Sequence, residues 1–150
     1  MQIRELPPVN FLFHRVETNI NELSKHLHTG QMLFEEAIKN SIFIAGPIHW
    51  HYFGFTGDVN QNFTLEISLP VASVMKEYDG KFHFKRTENF RAVTCLHEGR
   101  WESIPESYTH LMKFIAAHKL QPTAVNREIY VNVDFQNPEA NCTEIQIGIG

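Results

Sequence analysis

Apolar residues along this chain fall into strand-like and helix-like runs that alternate in the same order twice. Residues 9–16 (VNFLFHRV) are apolar and β-prone and predict a strand. Asn19 and Glu22 form a capping-box pattern ahead of a stripe at helical spacing: Ile20, Leu23, Leu27, Leu33, Phe34, Ala37 and Ile38. Gly30 interrupts the stripe, so the helix either kinks there or begins there. Gly46-Pro47 breaks the chain before IHWHYFGF, a strand rich in aromatic residues. After the turn GDVNQN, the residues Phe63, Leu65, Ile67 and Leu69 alternate as in a half-buried strand.

From Lys85 the order repeats. NFRAVTCL predicts a strand that shares an Asn-Phe dipeptide with the first copy (Asn10-Phe11 and Asn89-Phe90). Ser103 and Glu106 form a second capping-box pattern, with Pro105 in the first helical turn and Tyr108, Leu111, Met112 and Ile115 on the expected buried face. Gln121-Pro122 ends that helix, and REIYVNV and CTEIQIGI are the last two strands. The endings LEISL and TEIQI superpose Glu66 on Glu144 and Ile67 on Ile145. The reading is an α+β fold made of a duplicated β-α-β-β unit with pseudo-twofold symmetry. Repeat 1 covers about residues 9–71, a connection 72–84, and repeat 2 residues 85–150. Three strands and one helix leave a large apolar face open. Two copies can close it with packed sheets or one curved, barrel-like sheet carrying both helices.

Composition narrows the function classes. The 150 residues suit one domain, and 43% hydrophobic residues are too many for a disordered chain. Thirteen Lys+Arg against 17 Asp+Glu, with no basic run, give no electrostatic footprint for direct nucleic-acid binding. No apolar run is long enough to span a bilayer, and MQIRELPPVN does not read as a secretory signal. The expectation is a cytoplasmic protein whose Cys95 and Cys142 are reduced, buried, small hydrophobes. On this reading the two repeats use all 150 residues, and the expectation is a freestanding unit without a DNA-binding module. Twelve Phe, four Tyr and two Trp suggest a large core, an aromatic-walled pocket, or both.

The second repeat carries a resemblance. CLHEGRWESIPESYTHLMKFI, from Cys95 to Ile115, resembles the signature of the GyrI-like, AraC-type bacterial effector-binding family, with His97, Gly99, Trp101, Ile104, Tyr108, Leu111, Phe114 and Ile115 at its marked places. Glu128-Ile129-Tyr130 is similar to the family's E-x-Y strand, and GPIHWHYFGF, LEISLPV and TEIQIGI look like its other elements. The resemblance implies a duplicated fold with an antiparallel sheet and a central small-molecule pocket. It further implies kinship with ligand-binding parts of multidrug-responsive transcription regulators, in which a pocket glutamate attracts lipophilic cations. Freestanding relatives include a gyrase inhibitor, and one branch hydrolyses cyclopropane-containing toxins.

Candidate chemistry centres on Glu128. On a strand, Glu128 and Tyr130 project to the same face. Facing inward, the carboxylate would be costly to bury unpaired, and a bound cation would relieve that cost. Facing outward, it would pair with Arg127 or a lysine. The duplication matches Trp50 to Glu128 and Tyr52 to Tyr130, which makes these four, with Trp101, candidate ligand-binding residues. Phe11 and Phe13 are further wall candidates, while Tyr108 reads rather as helix packing. If Trp50 and Tyr52 face in, His49 and His51 face out to solvent, and no third ligand marks them as a metal site. No nucleophile motif and no cofactor signature is present. The leading expectation is therefore a module that captures amphipathic, cationic or aromatic molecules. The alternatives are a strained-ring hydrolase using Glu128 and Tyr130 as its catalytic pair, and an interaction protein with a macromolecular partner or a homo-oligomer.

Overall fold

The computed structural model describes residues 1–150. Its elements are β1 (Gln2–Leu6), β2 (Asn10–Thr18), a 3-10 segment (Ile20–His26), α1 (Thr29–Lys39), β3 (His49–Phe53) and β4 (Phe63–Val71), followed by β5 (His83–Arg86), β6 (Phe90–Glu98), α2 (Ile104–Ala117), β7 (Pro122–Asn132) and β8 (Cys142–Ile149). Eight antiparallel strands form one curved, open sheet in the order β1-β6-β8-β7-β3-β4-β2-β5. Exchanging β1–β4 for β5–β8 reverses this order without otherwise changing it, which is the signature of a twofold-related duplication. The twofold falls between β3 and β7, where Trp50 lies directly opposite Glu128.

Two strands were not anticipated. The sequence reading has six strands, and β1 and β5 are short, charged segments (QIREL and HFKR) without a clear apolar alternation. Each precedes one repeat but pairs with the other: β1 lies on β6, and β5 lies on β2. The repeats are therefore interlocked at their edges, and the 72–84 connection ends inside β5. Charged, short edge strands also discourage pairing with foreign strands.

Local signals explain most element starts. The Asn19 side chain accepts a hydrogen bond from the Glu22 amide at 3.1 Å, capping the 3-10 segment, and α1 begins at Thr29 beside Gly30. A Cβ added at Gly30 would lie 3.4 Å from the Ile48 side chain, an ordinary contact, so Gly30 stands in the first turn of α1 without being sterically required there. Ser103 does not form the expected cap. Its hydroxyl donates to the Arg100 carbonyl at 2.8 Å and lies 3.1 Å from His97 Nε2, because the preceding turn offers it nearer partners. His97 thereby ties the end of β6 to the start of α2, with Nδ1 also 2.7 Å from Ser107 Oγ.

Both helices pack on the same side of the sheet, one on each half. Leu33 and Ala37 of α1 are buried against Leu12, Leu65, Ile67 and Leu69, while Leu111 and Ile115 of α2 are buried against Val93, Ile145 and Ile147. Ile38 and Met112 depart from the expected buried stripes and are exposed, because each helix presents only a narrow face to the sheet. Cys95 and Cys142 are free thiols but half-buried rather than fully buried. No helix is long and apolar enough to cross a membrane.

Candidate functional site

The two helices leave the centre of the sheet uncovered. A cleft of about 1810 Å³ opens there, floored by β3 and β7 and lined mainly by apolar side chains. Trp50 and Tyr52 of β3 and Asn126, Glu128 and Tyr130 of β7 reach it, as do Tyr108 from α2 and Trp101 from the turn before it. Alternation explains the shared face: Trp50 pairs with Glu128 and Tyr52 with Asn126 across the two strands.

Glu128 lies on the floor and is only 6% exposed. Three phenols donate to its carboxylate: Tyr52 at 3.1 Å and Tyr130 at 2.6 Å to Oε1, and Tyr108 at 2.6 Å to Oε2. Three of the chain's four tyrosines thus converge on one carboxylate. Their hydroxyls are held protonated: burial pushes all three pKa values well above the usual phenol value, and the neighbouring Glu128 charge adds to that. No Lys or Arg forms an ion pair with Glu128; the ion pairs of the molecule lie elsewhere. A buried carboxylate solvated only by neutral donors is stabilised, yet its negative field remains uncancelled inside a largely apolar space.

Rings surround that charge. Tyr130 stands edge-on between the two tryptophans, with centroids 5.7 Å from Trp50 and 5.6 Å from Trp101. Tyr52 packs edge-on to Phe55 at 5.3 Å, and Phe55 in turn lies 6.0 Å from Tyr108. Phe135, 72% exposed, continues the aromatic wall past Trp101 at the rim.

The structure places Trp50, Tyr52, Trp101, Glu128 and Tyr130 of the sequence-derived set in one cleft. Tyr108, read from the sequence as packing, belongs with them. It occupies a helical apolar position, and only the approach of α2 to β7 brings its hydroxyl to Glu128. Asn126 and Phe55 were missed; Asn126 shares the face of Glu128 at i−2, a spacing that could have marked it.

Phe11 and Phe13 are not cleft walls. In β2 they share a face with Ser68 and Glu66 of β4, whereas Leu12 aligns with the cleft-side Leu69. They lie on the opposite side of the sheet, where His49 and His51 also point. Those histidines are not solvated: His51 is wholly inaccessible, and Phe11 packs on both rings at 4.9 Å. Burial lowers the His49 pKa to about 3 and that of His51 well below its usual value, with Lys85 and Arg127 adding to both. Lys85 lies 2.9 Å from His51 Nδ1 and 2.5 Å from Glu66, and Arg15 completes a three-member ion-pair group. No group of three His, Cys, Asp or Glu side chains is placed to hold a metal ion.

Comparison with known proteins fits this architecture. The profile of the GyrI-like small molecule binding domain matches residues 1–149. The chain belongs to that family, and it is a small-molecule-binding domain. Among solved structures, the EcmrR C-terminal domain superposes with a TM-score of 0.83 at 20% identity, covering 99% of this chain and 96% of that one. The chain spans 56% of the EcmrR chain seen in a DNA complex. SAV2435 bound to tetraphenylphosphonium gives a TM-score of 0.68 at 12% identity, covering 99% and 93%. A hydrolase from Listeria innocua gives 0.66 at 14% identity, covering 99% and 91%. These likenesses establish the GyrI-like fold. No curated protein sequence matches the chain.

Proposed function

We propose that the chain acts as one effector-binding unit that captures amphipathic cations, aromatic ones above all, in the cleft between α1 and α2. The observation that carries this reading is Glu128: a buried carboxylate with three phenol donors, no cationic partner and an aromatic surround. A ligand cation entering the cleft completes the missing charge pair. Each well-placed indole or phenol ring adds on the order of 0.5–2 kcal/mol through its face. The width of the cleft, larger than the usual drug-sized pocket, suits ligands of differing shape that share only charge and flat apolar area. Binding of tetraphenylphosphonium by a structurally similar protein supports the same ligand class.

Hydrolysis is the less favoured use of these residues. The Glu128 carboxylate is already engaged by three donors, and the phenols beside it are held neutral, so neither group is poised as a base. Titration with tetraphenylphosphonium, followed by tryptophan fluorescence, tests the proposal directly, because the chain's two tryptophans both line the cleft. Saturable quenching is expected, with affinity falling at least about tenfold in Glu128→Gln, or ~1.4 kcal/mol. Equal affinity in that variant would remove Glu128 from the site.

A further inference from the structure

The cleft floor separates charge from directional hydrogen bonding. Glu128 supplies the charge, but three of its roughly four lone-pair directions are taken by Tyr52, Tyr108 and Tyr130. It therefore acts on a ligand through its field more than through a new hydrogen bond, and it gains little from a cation that carries N–H groups. Two residues earlier on the same strand face, Asn126 is 6% exposed, lines the cleft and makes no side-chain hydrogen bond within the protein. The amide's polar atoms are open to the cleft rather than sealed inside the protein, so its donor and acceptor are free for a ligand, and Tyr52, its partner across the strands, is committed to Glu128.

From this juxtaposition, and resting on the reading of the cleft as a cation site, we infer that Asn126 is a specificity-determining residue. It selects cations that bear, apart from their charge, a neutral carboxamide or similar planar group with both a donor and an acceptor. The charge itself sits best on a centre without N–H, such as a phosphonium, a quaternary ammonium or a delocalised ring cation. Two residues of extended strand set Asn126 and Glu128 ~6.6 Å apart along the floor. A para substituent on an arylphosphonium reaches a comparable distance from its phosphorus. A ligand of this class places its charge over the Glu128 cluster and its amide against Asn126.

Two tetraarylphosphonium probes test the inference by calorimetry: tetraphenylphosphonium carrying one para-carbamoyl group, and its near-isosteric para-isopropenyl counterpart. The carbamoyl compound is expected to bind the unmodified protein about fivefold more tightly, as one or two neutral hydrogen bonds warrant. In Asn126→Leu that ratio is expected to fall to about one, while saturable binding of the isopropenyl compound reports an intact cleft. Asn126→Ala makes the same comparison should the leucine variant fold poorly. Equal binding of the two probes to the unmodified protein, or a ratio that survives in the variants, overturns this inference and leaves the cation site standing. Failure of both probes to bind the unmodified protein overturns the cation reading of the cleft and this inference with it.

Discussion

On the cleft side of β3 and β7, Trp50, Tyr52 and Tyr130 surround a carboxylate whose hydrogen-bond partners are all neutral, and the space above it is open. On the other side of the same two strands, His49, His51 and Arg127 lie within a cluster closed by Phe11, Phe13 and Lys85. There Glu66 answers two cations, Lys85 and Arg15, and the Lys85 ammonium also faces the rings of Phe11, Phe13 and Phe53 at 4.9–5.7 Å. Arg127 has no ion pair and instead stacks over Phe90 at 3.9 Å. Each face leaves one charge without a counterion, but Arg127 on the closed face is covered by the Phe90 ring, whereas Glu128 on the open face borders an open cleft. The closed face is built for stability, and the open one is free to recognise something.

The largest expected effect that would test this division is on the closed face. Glu66→Gln leaves Lys85 partly buried without its carboxylate and is expected to destabilise the fold by about 3 kcal/mol in urea denaturation. Cation affinity in the cleft should be retained by the folded variant. A loss of binding as large as that of Glu128→Gln would mean that the two faces are not separate.

Acid provides the next test. His49 and His51 are neutral in the folded state, with pKa values lowered chiefly by burial, that of His49 to about 3 from 6.5. The unfolded chain therefore binds more protons between those values, and stability falls as pH drops through that window. Between pH 6.5 and pH 5 each histidine should forfeit roughly 2 kcal/mol. Denaturation curves at the two pH values measure the loss. In a His49→Asn variant the slope should shrink by about half; an unchanged slope would place the acid sensitivity elsewhere.

The smallest effect concerns Arg127. Its pKa is lowered to about 10 by desolvation alone, in keeping with a half-buried guanidinium that no anion compensates. Arg127→Leu should be neutral or stabilising by about 1 kcal/mol, since the substitution removes a desolvated charge and keeps contact with Phe90. A marked loss of stability would reveal that the guanidinium does more than stack.

The alternation in β3 illustrates what the sequence could and could not convey. HWHYF reads equally well in either orientation, because both faces carry large, partly polar rings. Placing Trp50 and Tyr52 inward gave the cleft side correctly, but the step to solvated histidines assumed that one face of the sheet must meet water. The curvature of the sheet and the Lys85 side chain from edge strand β5 cover that face instead. Phe11 and Phe13 were assigned to the wrong side because a strand whose residues are buried on both faces offers no polar phase by which to choose.

The sequence by itself determined the order and type of six of the eight strands and of the two helices, and it marked the two halves as copies. Those properties follow from local periodicity and from short matched strings, which act over a few residues. It also drew attention to Glu128 through its strand partner Tyr130. Only the tertiary structure decided that β1 and β5 cross to the opposite repeats, since short charged strands are recruited by free edges far away in the chain. Tertiary packing likewise brought Tyr108 from a helix and Tyr52 from another strand onto a single carboxylate. A residue's spacing tells which neighbours share its face, but the convergence of distant hydroxyls on one buried charge is set by how helices and strands pack.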